Sequence, residues 1–295
     1  MVELNTSRIK LTKPQLVMRV IVYVLLILGC LIMIFPYFYM VASSLKTSAE
    51  AAATINLRIL PKVPQWSNYT HAWKRVDMFT SSLNTLLIEM TVIPIGTFVA
   101  AMAAFSFAKL KLRHKTFWLL VLMSGMMVPY AALLLPQFRV FTRILDWTAT
   151  GSVPQKALLP LIVPGFFGNT SMMFFFIQYM KGIPTALFES AKIDGAGYMT
   201  MFVRIMFPLI GPALGAQVVF WFVGIWNDYF APSIYLTSPK VRTLQVSLKM
   251  FSGQNGGNAE LMMAGSVISS IPLIVIYVCF QNLFIESMAI TGIKG

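Results

Sequence analysis

Polar, charged and small side chains gather in one stretch of an otherwise apolar C-terminal half, Glu189 to Pro212, ESAKIDGAGYMTMFVRIMFPLIGP. Pro184 and Thr185 offer a helix start and Ala186 to Ile193 continue it, with Glu189 and Lys192 placed three residues apart for pairing. Asp194-Gly195 stops that helix: Gly195 takes a positive φ at no steric cost, and Asp194 is expected to cap the next helix. That second helix is predicted from about Gly197 to Met206, with Tyr198, Phe202 and Ile205 on one face. Two short helices with small residues at the elbow make a knob. Small residues so placed permit close backbone approach by a partner, which a bare connector does not need.

The other candidates are scattered. Glu89 sits in an apolar run, where an ionisable residue is by default functional, though a snorkelling or interhelical role is equally open. Asn169 lies in a polar patch, Gly168 to Ser171, and is expected to face a water-filled path. Trp226, Asn227, Asp228 and Tyr229 form a polar and aromatic mouth. Of these Trp226, Asn227 and Tyr229, together with Asn169 and Gln137, suit sugars, because aromatic faces stack on C–H surfaces and amides pair with hydroxyls. No carboxylate pair, metal-ligand spacing or nucleophile with a nearby base occurs, so an enzyme is not expected. No GxxxxGK followed by Ser or Thr occurs either, so the chain has no evident means of holding ATP phosphates.

The elements that must carry these residues are membrane helices. Of the 295 residues 57% are apolar and 11% charged, and the mean hydropathy is +0.74, whereas soluble proteins are roughly 25% charged. Cys30 and Cys279 sit inside apolar runs, against a disulfide framework. The net charge of +13 falls in loops and tails, which suits lipid headgroups and not nucleic acid. Six stretches reach spanning length: Val20 to Ala42, Leu83 to Phe107, Thr116 to Leu135, Ala157 to Met180, Pro208 to Trp226 and Leu261 to Phe284. The first is too long for a signal-peptide core and reads as a retained span. Lys and Arg in the N-terminal tail and at Lys109, Lys111, Arg113 and Lys115 place both termini, and the Glu189 stretch, in the cytoplasm. The long outer loop, with Pro61, Pro64, Trp66, Tyr69 and Trp73, suits a short interfacial helix. Pro129, Pro160, Pro164 and Gly165 weaken helices at membrane depth, which is tolerated where protein or a cavity covers the freed backbone.

Glu189-Ser190-Ala191, Asp194-Gly195-Ala196, Phe202, Ile205 and Pro208-Leu209 together resemble the EAA loop of the membrane subunits of ATP-binding-cassette importers. Ser190 stands for the more usual alanine and Phe207 for leucine. Asn68-Tyr69 after Pro64 and Trp66, Trp226-Asn227-Asp228, Thr243-Leu244, Pro272 and the ending Lys294-Gly295 are similar to sugar permeases of the maltose-transporter type, so the resemblance runs over nearly the whole chain. It implies an all-α integral membrane protein with six transmembrane helices, of the type I ABC importer (MetI-like) kind, in a bacterial inner membrane. Residues 1–19 are then a cytoplasmic tail, 20–82 the first transmembrane helix and outer loop, 83–285 the transmembrane core with its EAA loop at 181–212, and 286–295 a second cytoplasmic tail.

The resemblance further implies that Glu189, Ser190, Ala191, Asp194, Gly195, Ala196, Phe202, Ile205 and Pro208 couple the chain to a cytoplasmic ATPase. Gly195 and Ala196 would allow close seating, Glu189 and Asp194 would anchor the knob, and Phe202 and Ile205 would fix it to the bundle with Pro208 opening the next span. The implied partners are a second, homologous permease subunit making a heterodimer, two ATPase subunits that bind the ATP and Mg, a solute-binding protein and membrane lipid. The cargo is expected to be a neutral or acidic sugar or oligosaccharide, on a path lined by Glu89, Gln137, Asn169, Trp226, Asn227 and Tyr229. The alternative is an ion-coupled secondary transporter with Glu89 as its coupling carboxylate.

Overall fold

The computed structural model describes residues 13–53, 58–144, 157–236, 238–252 and 258–292. Arg8 and Lys10 of the basic tail and the ending 293–295 lie outside them. The described chain is all-α. Among the described residues four helices are long and apolar enough to cross a membrane, and taking each of two bent helix pairs as one span brings the number to six.

The first helix, α1 (Lys13–Ser44), is exposed along its apolar length and packs on the last helix. The outer loop carries α2 (Ser48–Ala52) and the expected short helix α3 (Ser67–Arg75). In α2, the Glu50 carboxylate accepts the backbone N–H groups of Thr47 and Lys62, which holds it below the usual glutamate range. Asn68 ties this loop down: it is buried, and its Nδ2 donates to the carbonyls of Ser44 and Lys46, each at 2.8 Å. Asn68→Ala strands both carbonyls, at a cost of about 1–3 kcal/mol. We expect a lower thermal unfolding midpoint for the detergent-purified protein; an unchanged midpoint would show that the loop is held elsewhere.

The central post is α4 (Met78–Lys109), capped by Asp77, whose side chain accepts from the Thr80 N–H. The third predicted span is two helices, α5 (Lys115–Ser124) and α6 (Tyr130–Ile144), with a 3-10 turn at Gly125–Met127 and a 94° bend. The cause is local: Pro129 pushes Val128 out of helical backbone, to φ −77 and ψ 119. The fourth span is also broken, into α7 (Leu159–Ile162), a 3-10 segment Val163–Phe167 and α8 (Thr170–Lys181).

The knob comprises α9 (Ala186–Ile193), α10 (Tyr198–Met201), a π-helical turn Phe202–Met206 and α11 (Phe207–Leu209). A 77° bend leads from it into the fifth span, α12 (Gly211–Trp226), continued by α13 (Phe230–Tyr235). Pro208 therefore belongs to the knob, and Pro212 opens the span: a proline is tolerated in the first turn, where its missing N–H has no helical partner. Then come α14 (Leu244–Lys249) and α15 (Ala259–Gly292).

Candidate functional site

The elbow of the knob closes α9 by two backbone bonds. Gly195 N–H donates to Lys192 O at 3.1 Å and Ala196 N–H to Ala191 O at 2.9 Å, the paired closure that a left-handed residue after a helix makes possible. Gly195 supplies it with φ +82. A Cβ at Gly195 would meet no described residue within 4 Å, so the conformation, not internal space, demands glycine. Asp194 ends α9, and the N-cap of α10 is Gly197, so Asp194 does not cap the second helix. Glu189 and Lys192 are exposed and form no ion pair, and the Ser190 hydroxyl turns back to Leu187 O at 3.1 Å. At the tip Ile193 is 86% exposed.

The predicted face of Tyr198, Phe202 and Ile205 is only partly realised. Tyr198 is exposed, Ile205 is half-buried, and the buried set is Met201, Phe202 and Met206. Tyr198 is the first residue of α10 and keeps α register with Phe202, whose N–H donates to the Tyr198 carbonyl, and it lies exposed at the outer end of the helix. Beyond it Phe207 N–H reaches back five residues to Phe202 O, and the extra residue of this π turn brings Met206 rather than Ile205 to the buried side. Phe202 thereby enters an aromatic cluster with Phe98 (5.4 Å between ring centroids), Phe105 (5.6 Å) and Phe207 (5.7 Å). Phe188 of α9 meets Phe105 at 5.8 Å, and Lys109 Nζ lies 5.5 Å from the Phe188 ring while donating to Ile183 O. Both knob helices are thus fastened to the end of α4.

Away from the knob, a cavity of about 670 Å³ opens between α4, α6, the broken fourth span and α12. Its polar lining is Tyr130, Asn169, Thr170, Asp228 and Thr243, and Trp221 gives an aromatic wall. Asn169 stands at the break: its Oδ1 accepts from the N–H groups of Ser171 and Met172, capping α8. Gly168, at φ +78, makes the turn before it against Gly96 and Ala100 of α4. Asp228 Oδ1 accepts from the Phe230 and Ala231 N–H groups and starts α13.

Among the expected path residues, Asn169 lines this cavity and the others are placed elsewhere. Trp226 is a core residue rather than part of a mouth: it is 1% exposed, stacks on Phe222, and donates its indole N–H to Ser269 O at 2.9 Å. Asn227 and Tyr229 are exposed, with Asn227 Oδ1 accepting from Gln245 Nε2 at 3.3 Å. Gln137 Oε1 accepts from the Tyr235 hydroxyl at 3.3 Å. Glu89 does not snorkel. It is 0% exposed, neither oxygen has a hydrogen-bond partner among the described residues, and it lies one turn beyond Thr85, which accepts from Leu244 N–H.

Comparison with known proteins gives this geometry a family. Residues 92–289 match the model of the binding-protein-dependent transport system inner membrane component family. The arabinooligosaccharides transport system permease protein AraQ of Bacillus subtilis is 31% identical over 287 residues, 96% of this chain and 98% of that protein. The chain belongs to this family. It is a permease, a transport component and not an enzyme. The melibiose/raffinose/stachyose import permease protein MelC of Bacillus subtilis is 28% identical, over 94% of this permease and 97% of that protein. The fold is shared with a chain of a bacterial ABC transporter involved in the import of the acidic polysaccharide alginate, at a TM-score of 0.75 and 21% identity, over 93% of this chain and 99% of that one.

The sequence assigns Phe188 and Trp221 no part in the site, Ile193 only the end of a helix and Lys109 only a part in the topology. Ile193 carried a signal, an isoleucine directly before Asp194-Gly195 where the helix must end. Lys109 and Ile183 are 74 residues apart and carried none.

Proposed function

We propose that this permease forms one wall of the translocation path of an oligosaccharide importer, driven by ATPase subunits that grip the knob. The observation that carries the reading is a tip that is exposed and apolar at Ile193 on a base fastened through buried Phe202. A large exposed apolar side chain on a conformationally fixed elbow serves a partner's pocket better than it serves water. The arginines and lysines near α4 and α5 support an orientation with that tip and both termini on the cytoplasmic side. The remaining wall comes from a second, homologous permease, most simply as a heterodimer, and a solute-binding protein delivers the cargo. ATP and Mg are bound by the ATPase pair. The part of this chain is mechanical: Gly195 holds the elbow, Glu189 and Asp194 offer free carboxylates to the socket, and the Phe202 cluster passes the push to α4. The cavity beside Asn169 receives the solute with amide, hydroxyl and aromatic groups, the partners a sugar needs. The ion-coupled alternative has no support from the relatives, and its carboxylate, Glu89, is sealed from the cavity surface.

The test is uptake into proteoliposomes holding both permeases and the ATPases, with a binding protein loaded with labelled arabino-oligosaccharide or raffinose. Uptake should require ATP on the knob side and survive collapse of ion gradients. Transport without the ATPase subunits that vanishes with an ion gradient would overturn the reading.

A further inference from the structure

Beyond the cavity, a second concave surface of about 380 Å³ lies between α8 and α12, lined by Ser171, Phe174, Phe175, Gln178, Tyr179 and Gln217. Ser171, Phe174, Phe175 and Gln178 share the spacing that places residues on one side of a helix. The opposite side of α8, with Met172, Phe176 and Met180, is buried in the core. Gln178 is exposed and Gln217 half-buried, and neither side-chain amide hydrogen-bonds to another described residue. Hydrocarbon offers such amides no partner, so a lipid-facing surface would not be expected to carry two of them with a serine alongside. This groove therefore has another occupant.

The groove adjoins the cavity. Ser171 donates its hydroxyl to Asn169 Oδ1 at 2.6 Å, so the last polar residue of one surface touches the first of the other. From there the groove runs along α8 toward Lys181 and the knob, while the cavity runs toward Asp228 at the far end of α12. Among the described residues neither lining includes a lysine, arginine or histidine, and Asp228 is the one carboxylate. Amides and hydroxyls both donate and accept, as sugar hydroxyls do, and Phe174, Phe175 and Trp221 offer ring faces to sugar C–H surfaces. A carboxylated sugar would meet Asp228 and find no cation on this wall.

We infer that the solute path continues past the cavity along the seam of α8 and α12, with Gln178 and Gln217 as its inner hydrogen-bonding wall, and that it carries an uncharged, hydroxyl-rich solute. This rests on the permease reading above. The test starts from the complete importer with Cys30→Ser and Cys279→Ser, adding Gln178→Cys or Gln217→Cys, in sealed vesicles with the knob side outward. A membrane-impermeant methanethiosulfonate should label both new cysteines much faster than it labels Cys30 or Cys279 of the native chain, which are exposed on apolar helices. Labelling should slow when nucleotide closes the complex. Reaction only with a lipid-soluble maleimide would place the groove against lipid, and absence of labelling with oxidative cross-linking to the second permease would make it a dry subunit contact; either overturns the inference. Gln178→Leu combined with Gln217→Leu should lower uptake of a neutral oligosaccharide about tenfold, the effect of losing one or two ordinary hydrogen bonds. Equally fast uptake of an oligouronate by the unmodified importer would overturn the uncharged cargo. ATP dependence of the unmodified importer is scored separately, so failure of the permease reading is distinguishable from failure of this path.

Discussion

Gly195→Val is expected to abolish ATP-driven uptake in the assembled importer and to release the ATPase subunits, while the membrane bundle stays folded. The elbow needs φ +82, a region that costs a residue with a Cβ roughly 1–2 kcal/mol, and more when it is β-branched. The elbow avoids that cost by releasing the bonds from Gly195 to Lys192 and from Ala196 to Ala191, and Ile193 then loses its fixed direction. No described residue lies within 4 Å of the added Cβ, so the damage stays local. Two companions separate conformation from bulk. Gly195→Asn, which tolerates the left-handed region, should keep most activity. Gly197→Ala, at φ −71 with open space around it, should be close to neutral. Co-purification of the ATPases and uptake are the measurements, with thermal unfolding as the control on the bundle. Full uptake by the valine variant would sink the role of the elbow.

Such a test could be designed from the sequence because the elbow is local. Asp194-Gly195 stops a helix by chemistry contained in a few neighbouring residues, and the prolines and glycines that break the third and fourth spans act over the same short range. The spans were legible because lipid demands about 20 apolar residues whatever the tertiary context. What was not legible is the direction of side chains. Trp221 and Trp226 sit five residues apart on one helix, yet the first walls the cavity and the second is in the core with its N–H on Ser269. A helix that is apolar on nearly all sides carries no periodic mark of its buried face. Glu89 was equally undecidable, because nothing local in the sequence shows that the turn of α4 before it is strapped to the segment leading into α14 by Thr85 and by Asn84, which donates to the carbonyls of Lys240 and Arg242. The π turn at Phe202 has no sequence signature in this chain and brings Met206, not Ile205, to the buried face.

That turn leads to the second large effect. Phe202→Ala is expected to leave the ATPases bound but to uncouple them, so that uptake per ATP hydrolysed falls sharply. The knob tip contains no part of Phe202, so docking through Ile193 and the Gly195 elbow survives. The base is what changes. Phe202 is 1% exposed and sits among Phe98, Phe105 and Phe207, and truncating a buried phenylalanine to alanine typically costs about 3–5 kcal/mol. With that ring gone, motion of the knob is absorbed by a void instead of being delivered to α4. Phe202→Leu fills much of the space and should recover part of the coupling. Lys109→Met offers a milder version at the rim: it removes the bond to Ile183 O and the charge over Phe188 without emptying the core, and should lower the coupling ratio less than Phe202→Ala does. Ranked by uptake per ATP, the order should be native, Lys109→Met, Phe202→Leu, Phe202→Ala, with ATPase co-purification retained in all four. Loss of the ATPases in step with the coupling ratio would mean that the tip and its base are one cooperative unit, and docking and transmission could not then be assigned to separate residues.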